Sequence, residues 1–398
     1  MNTTQSAMSA SACGMYRNTV LERVVHGQPF EQAAVTDVIA RGVKRVLVIA
    51  SPRASDTATL ASLESALGGH HAASFCGALP HAPTQCVMEG AALARRLRAD
   101  HLIAIGGGSV IDTAKAVAYA LSAGDTNHSS VLLDAPDAGS VDPGSRQWNA
   151  SEWLGVTAIP QTLSAAEYTW FAGVSDPERK IKKIVAHPAM APRTVILDPR
   201  LTLEFALPTF LASGIKAVDH AVERLTALHS HPISDALSIH ALGMLLASLP
   251  AVHSAPGDLE ARLQCQLASW LSIAGGSAGV RTGASHALGH VLGAHAGVDH
   301  GLTSCALLPS VLRWNLTHNR AQQARVLSGL GQGGDVLAPL ISQCIARLGL
   351  PTRLRDIGVP SSDLAEVAEK SLHDPGMRHN PRPVRSAADA LEILEMAW

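Results

Sequence analysis

Leu102-Ile103-Ala104-Ile105-Gly106-Gly107-Gly108-Ser109-Val110-Ile111-Asp112-Thr113-Ala114-Lys115 is the stretch on which the fold prediction depends. Aliphatic residues, three glycines and a helix-like segment follow one another, as in a buried strand that turns sharply into a helix. The amides and dipole at the start of such a helix favour a pyrophosphate. However, Ser109 and Asp112 are spaced like an N-terminal capping pair, and the GxGxxG dinucleotide spacing is missing. The stretch alone therefore leaves a phosphate site and a simple capped turn both open.

Similar aliphatic runs recur in the first half of the chain, at 46–50, 156–159 and 195–197. Continuous apolar runs separated by helix-like segments are what a parallel sheet buried on both faces requires. After about residue 200 the strand signal disappears, and long Ala/Leu-rich segments follow, with turn signals at Pro250 and at Gly275-Gly276. We predict a Rossmann-like α/β domain with a parallel sheet over 15–203, an all-α domain over 204–398, a cleft between them, and a loosely ordered stretch over 1–14.

Composition excludes several classes of protein. A length of 398 residues fits two domains, and 47% apolar residues supply their cores. A net charge of -2, with 16% charged residues, gives no basic field for nucleic acid or for an acidic membrane surface. The sequence has no apolar run near the roughly 18 residues of a membrane span, no signal peptide and no CxxC pair among its six cysteines. We expect a cytoplasmic protein with reduced thiols that binds neither nucleic acid nor membranes.

Two further segments complete a pattern that resembles the iron-containing alcohol dehydrogenase family. Residues 212–223 and 283–301 carry histidines in that family's spacing, and 106–115 resembles its nicotinamide-binding signature. The likeness covers about residues 16–398, and within the family it is closer to the maleylacetate reductase branch, especially at 164–169. The resemblance implies the fold shared with dehydroquinate synthase, NAD or NADP as cofactor, and a homodimer.

The resemblance also implies two groups of site residues. The cofactor-binding group would be Ser51, Gly106, Gly107, Gly108, Ser109, Asp112, Thr162, Leu163 and Lys182. Many relatives have an aspartate at the position of Ser51; Arg53 nearby could accommodate a 2′-phosphate, so the choice between NAD and NADP stays open. His220, His286 and His300 would be the metal ligands if a metal is present, and His290 would face the nicotinamide and relay protons. We expect His300 to lie in a turn that contains Gly and Asp, fourteen residues beyond His286.

Lys216 departs from the family pattern, because its position normally holds a metal-binding aspartate. Lys216 and His220 are four residues apart on a predicted helix and so share one face. A cation there would repel a divalent metal by roughly a few kcal/mol, so we predict a metal-free site. Lys216 would stabilise a developing oxyanion, and His290 or His286 would be the acid or base. Two alternatives stay open: an ion pair between Lys216 and Asp219, and a zinc site of three histidines and water.

These residues predict an NAD(P)H-dependent oxidoreductase similar to maleylacetate reductase. It would transfer a hydride to a carbonyl or activated enone of a small carboxylated substrate, without a metal. Positive side chains near the expected cofactor site favour an anionic substrate; they are Lys182, Lys183, His187 and Arg193. The alternatives are an iron- or zinc-dependent alcohol dehydrogenase and a catalytically silent dinucleotide-binding protein.

Overall fold

The computed structural model describes residues 20–124, 126–135, 153–177, 179 and 181–398, so the predicted loose stretch over 1–14 lies outside the described residues. The chain divides into two compact units. We call the first the sheet unit; it contains Thr19–Ala217 and Ala247–Trp270. The second, the helical unit, contains Val218–Leu246 and Leu271–Trp398.

Parallel strands form the sheet of the sheet unit, as the aliphatic runs predict. In chain order the strands are β1 (Arg23–His26), β2 (Val46–Ile49), β3 (His71–Phe75), β4 (His101–Gly106), β5 (Gly155–Pro160), β6 (Phe171–Asp176), β7 (Ile181–Ala186) and β8 (Thr194–Leu197). The order across the six-stranded sheet is β1-β8-β5-β4-β2-β3, and β6 and β7 form a separate antiparallel ribbon. Because β2 has β3 on one side and β4 on the other, the strand order reverses beside β2. The carboxyl ends of β2 and β4 therefore flank a topological switch point, where open α/β sheets bind ligands.

Strands β2, β4 and β8 are buried because they consist mostly of aliphatic residues. Every residue of β2, β4 and β8 is buried. The helices along this part of the chain are α1 (Phe30–Ala40), α2 (Ala58–Leu67), α3 (Thr84–Leu97), α4 (Gly108–Ser122) and the single turn α5 (Ser130–Leu133). One core cluster joins the α1 and α2 residues Phe30, Val38 and Leu63 to strand residues such as Ile103 and Ile196. Burial of each such side chain contributes about 1.5–3 kcal/mol, which fixes the strand ends that carry the predicted cofactor residues.

The second half of the chain is helical, as predicted. Its helices are α6 (Leu207–Leu225), α7 (Pro232–Ser254), α8 (Leu259–Ala274), α9 (Ala284–Ala296), α10 (His300–Gly329), α11 (Ala338–Arg347), α12 (Leu364–Ser371) and α13 (Ala387–Ala397). In the helical unit, α9, α10, α12 and α13 share a core that includes Leu288, Leu307, Val367 and Ile393. This core holds α9 and the first turn of α10, which carry three of the four predicted histidines.

Two local predictions in this half are wrong. Pro250 does not end a helix but lies inside α7, in its last turns. A proline removes only one intrahelical N–H, and the ladder resumes where the Ala255 N–H donates to the Ala251 carbonyl. His300 is not in a turn but is the first residue of α10, where the Asp299 side chain accepts from the Gly301 N–H and caps the helix.

Helix α7 is also long and apolar enough, by length and composition, to cross a membrane. A single helix of this kind is weak evidence of a span, because core helices of soluble proteins meet the same criterion.

Candidate active site

The glycine turn between β4 and α4 lies at the switch point of the sheet. Gly106 has φ +154°, and a Cβ there would lie 2.7 Å from a Val110 methyl carbon, so the turn requires glycine. Gly107 is the N-cap of α4 and makes no side-chain capping hydrogen bond. The first backbone amides of this helix of 15 residues therefore have no side-chain cap from Gly107, and the pyrophosphate site at this position stays a prediction.

The capping alternative raised from the sequence is wrong, because Ser109 and Asp112 bind elsewhere. The Ser109 hydroxyl accepts from the His81 N–H at 3.1 Å. The Asp112 carboxylate pairs with Lys115 at 2.8 Å and accepts from the Gly173 N–H at 3.1 Å. Both side chains thus fasten α4 to neighbouring segments of the sheet unit.

The other predicted cofactor residues lie in the same unit. Ser51 directly follows β2 and is the N-cap of a short 3-10 turn, so it stands at the switch point. Thr162 and Leu163 follow β5, and a Cβ added to Gly107 would touch the Thr162 side chain at 3.4 Å. Lys182 lies on β7 opposite Ser175 of β6. The Leu163 N–H donates to Ser213 Oγ at 3.0 Å, which ties this segment to α6.

Four predicted histidines form one cluster in the helical unit. His220 lies on α6, His286 and His290 on α9, and His300 begins α10. The ring centroids of His220 and His286 are 4.7 Å apart, those of His286 and His300 are 5.6 Å apart, and those of His290 and His300 are 5.1 Å apart. Lys216 lies on α6 one turn before His220, at the end of the segment that belongs to the sheet unit.

A buried carboxylate fixes the orientation of His286. Glu223 Oε2 lies 2.8 Å from His286 Nδ1, and the Glu223 carboxylate also accepts from the N–H groups of Gly283 and Ser285, each at 2.9 Å. The Glu223 carboxylate accepts the two backbone hydrogen bonds, so His286 Nδ1 is the donor to it, and this contact fixes the ring orientation.

A second carboxylate, which the sequence interpretation missed, fixes His290. Asp374 Oδ2 lies 2.9 Å from His290 Nδ1, and Asp374 Oδ1 accepts from the Gly376 N–H at 2.8 Å. Burial alone would raise the pKa of Asp374, but the hydrogen bonds from His290 and Gly376 together lower that pKa below its ordinary value. Asp374 is therefore the ionised orienting partner of His290. The only sequence signal was the turn-like Asp374-Pro375-Gly376, which carries no chemistry by itself.

Family models match both halves of the chain. A model described as iron-containing alcohol dehydrogenase matches residues 22–199, and one described as Fe-containing alcohol dehydrogenase family, C-terminal, matches 210–398. The chain belongs to this family. It is 32% identical to maleylacetate reductase from Pseudomonas sp. (strain P51), over 94% of this chain and 95% of the relative.

Solved structures agree with the assignment to the iron-containing alcohol dehydrogenase family. Maleylacetate reductase from Rhizobium sp. strain MTP-10005 has a TM-score of 0.79 and 26% identity, covering 97% of this chain and 98% of that one. The iron-containing alcohol dehydrogenase from Thermococcus thioreducens has a TM-score of 0.83 and 26% identity, covering 96% and 99%. The predicted family, its maleylacetate reductase-like branch and the fold are confirmed, and the protein is an NAD(P)-dependent oxidoreductase.

The iron-containing alcohol dehydrogenase family implies a metal, and the resemblance predicts His220, His286 and His300 as its ligands, with Lys216 at the position of the family's carboxylate. A cation at that position would not fit a divalent metal. Asp219, Glu223 and His286 also bring ligand atoms within 4.8 Å of one another. Their bonds point to another role, because Glu223 binds two backbone N–H groups and His286 Nδ1, and Asp219 Oδ2 accepts from Ser285 at 2.8 Å. This buried group is a hydrogen-bonded support for His286.

Proposed function

We propose that the protein reduces a carbonyl or activated enone of a small carboxylated substrate, and that it does so without a metal. Its similarity to proteins named maleylacetate reductase supports this substrate class. The observation that carries this proposal is the replacement of one ligand by Lys216 in a family member that keeps His220, His286 and His300. A metal in such a site polarises the carbonyl oxygen. An ammonium group meets the same electrostatic demand and also attracts a substrate carboxylate.

The sheet unit supplies the cofactor site in this proposal. Ser51 and the glycine turn at Gly106 flank the switch point, and the amides that begin α4 would hold the pyrophosphate of NAD or NADP. The bound nicotinamide supplies the hydride. Arg53 is exposed just after Ser51, a position from which it would meet the 2′-phosphate of NADP, so the proposal leaves both cofactors as candidates.

The residues of the chain supply charge and a proton. When the carbonyl carbon gains a hydride, its oxygen gains negative charge and then a proton. The Lys216 ammonium would stabilise that oxygen as charge develops. A histidine would deliver the proton, and His290 suits this task because Asp374 holds its Nδ1 and leaves Nε2 to exchange protons.

Elemental analysis together with activity assays tests the proposal. The protein is purified without chelator, and oxidation of NADH and NADPH is followed on maleylacetate and on simple aldehydes, before and after added Zn²⁺ or Fe²⁺. We expect no stoichiometric metal in the protein and no gain in activity when metal is added.

Lys216→Met should lower kcat with maleylacetate well over tenfold, because the developing oxyanion loses the cation that stabilises it.

Two further variants sharpen this experiment. Lys216→Asp restores the family's ligand set and should bind Zn²⁺ or Fe²⁺ in proportion to protein. Asp219→Asn tests whether Lys216 acts only as an ion-pair partner of Asp219.

If wild-type activity requires stoichiometric metal, the protein is a metal-dependent alcohol dehydrogenase. If the protein binds cofactor but turns over no carbonyl compound, it is a silent dinucleotide-binding protein. The cytoplasmic location, the homodimer and the absence of nucleic-acid and membrane partners stay predictions.

A further inference from the structure

Glu167 is a buried carboxylic acid that the proposed mechanism does not use. It lies in a short 3-10 turn, Ala166–Tyr168, and only 2% of its surface is exposed. Among the described residues, no hydrogen-bond donor meets its Oε2 atom. Burial disfavours the ionised form of such an acid, so positive neighbours decide at which pH it ionises.

The turn of Glu167 belongs to a segment that packs on the start of α4 and binds α6. A Cβ added to Gly108 would lie 2.8 Å from Ser164 Oγ, so the segment after β5 packs on the start of α4. In this segment Ser164 is three residues before Glu167. The N–H of the preceding residue, Leu163, donates to Ser213 Oγ on α6. Lys216 is three residues beyond Ser213 and so lies on the same face of α6, the face that meets this segment.

Two lysines act on Glu167, and the contacts of Lys115 account for all of its N–H donors. Lys115 is completely buried; it pairs with Asp112 at 2.8 Å and donates to the Ala166 carbonyl at 2.8 Å and to Thr169 Oγ1 at 2.9 Å, and it also donates to the Phe171 carbonyl. These acceptors exhaust the three N–H donors of an ammonium group. The second lysine whose charge acts on Glu167 is Lys216.

The balance of these effects makes Glu167 titrate near neutral pH. Burial raises the pKa of Glu167 to about 7, against a backbone hydrogen bond and the charges of Lys115 and Lys216, which lower it. Asp112 on α4 raises it slightly further. Tyr168 in the same turn stays a neutral phenol, since burial raises the pKa of its hydroxyl well above the ordinary value.

We infer that Glu167 is a positioning residue that acts through Lys216 and sets the net charge of the substrate site. When Glu167 is protonated, the surroundings of Lys216 carry one negative charge fewer, and the site attracts an anionic substrate more strongly. When Glu167 is ionised, its charge offsets that of Lys216 and the attraction weakens. This inference rests on the proposed function. It predicts that carboxylated substrates bind most tightly at the lower end of the physiological pH range.

Lysine NMR tests the coupling without any turnover. The chain has seven lysines, so protein labelled with ¹³C at lysine Cε gives a small set of signals, and Lys216→Met identifies the one from Lys216. In wild type that signal should show an inflection near pH 7, when Glu167 ionises. In Glu167→Gln the inflection should be absent, while it should persist in Glu89→Gln, which changes an exposed glutamate of α3. A Lys216 signal that is flat around pH 7 in wild type, or unchanged in Glu167→Gln, overturns the inference.

Kinetics then test the consequence for substrate. For wild type, KM for maleylacetate should rise about fivefold on going from about pH 6 to about pH 8, and KM for propanal should not follow this rise. Glu167→Gln should keep the low KM for maleylacetate at the higher pH, with its affinity for NADH unchanged. Equal pH profiles in wild type and variant overturn the inference. Absence of turnover in wild type would defeat the proposed function instead, and the NMR result would still decide whether Glu167 and Lys216 are coupled.

Discussion

His290 and His295 on α9 each form a hydrogen bond with an aspartate, and of these two only His290 belongs to the cluster. His290 Nδ1 lies 2.9 Å from Asp374, and its ring stacks on that of His300. His295, one turn further along α9, lies 3.3 Å from Asp363 and near Glu366 and Lys370 on α12. The two pairs share their chemistry and differ in location, so they form a matched comparison for a catalytic role.

Asp374→Asn should lower kcat about 10- to 100-fold. The amide that replaces the Asp374 carboxylate is uncharged, so it no longer fixes the proton on His290 Nδ1. KM and the affinity for NADH should stay close to wild type. The measurement is the pH profile of kcat alongside NADH fluorescence titration. Asp363→Asn is the control and should leave kcat within about twofold. Equal losses in both variants would mean that the Asp374 pair merely supports the fold.

At the scale of residues, the sequence predicted candidate catalytic groups but not the groups that orient them. The histidines were predicted because their spacing carries the family pattern, and Lys216 because it departs from that pattern one helical turn before His220. Asp374 is 84 residues from His290 along the chain, and only the folded helical unit brings the two together. Glu167 lies in the segment 164–169 that carries the resemblance to the maleylacetate reductase branch, but its burial and the two lysines that act on it follow from no local pattern.

At the scale of elements, the β4 to α4 junction was correctly predicted as a strand, a glycine turn and a helix. The continuous aliphatic runs also gave β2, β5 and β8, because strands buried on both faces need no polar alternation. β1, β3 and the ribbon of β6 and β7 were missed. Their residues are partly exposed and mixed in character, as in His71–Phe75, so tertiary pairing and not local pattern makes them strands.

Gly106→Ala should damage the β4 to α4 junction. The backbone there has φ +154°, and the new methyl group would meet Val110 at 2.7 Å, so we expect a loss of about 1–3 kcal/mol and much weaker NADH binding. Melting temperature and NADH titration measure the two effects. Gly107→Ala is the control for stability, since its Cβ would make an ordinary contact with Thr162 at 3.4 Å. If Gly106→Ala melts and binds NADH like wild type, the turn does not depend on glycine as argued.

At the scale of the whole molecule, the sequence predicted an α/β half and a helical half, and the change in pattern near residue 200 marks that difference. The compact units follow contacts and not this change of pattern: Ala247–Trp270 belongs to the sheet unit although it is helical. Periodicity reports how a segment folds locally, and it carries no information on which neighbours that segment packs against.

The charge state of Glu167 should also be visible in the stability of the whole protein. Its pKa is about 7 in the folded chain against an ordinary value of 4.5, so the folded state binds this proton more tightly than the unfolded state. The resulting stabilisation is fully present below pH 4.5 and is lost as pH rises through about 7, a difference of roughly 3 kcal/mol. Gln cannot ionise, so the melting temperature of Glu167→Gln relative to wild type should be a few degrees higher at about pH 8 than at about pH 5. Glu89→Gln should show the same difference from wild type at both pH values. A constant difference for Glu167→Gln as well would mean that Glu167 keeps an ordinary pKa, and its role as a neutral-pH partner of Lys216 would then fail on stability grounds alone.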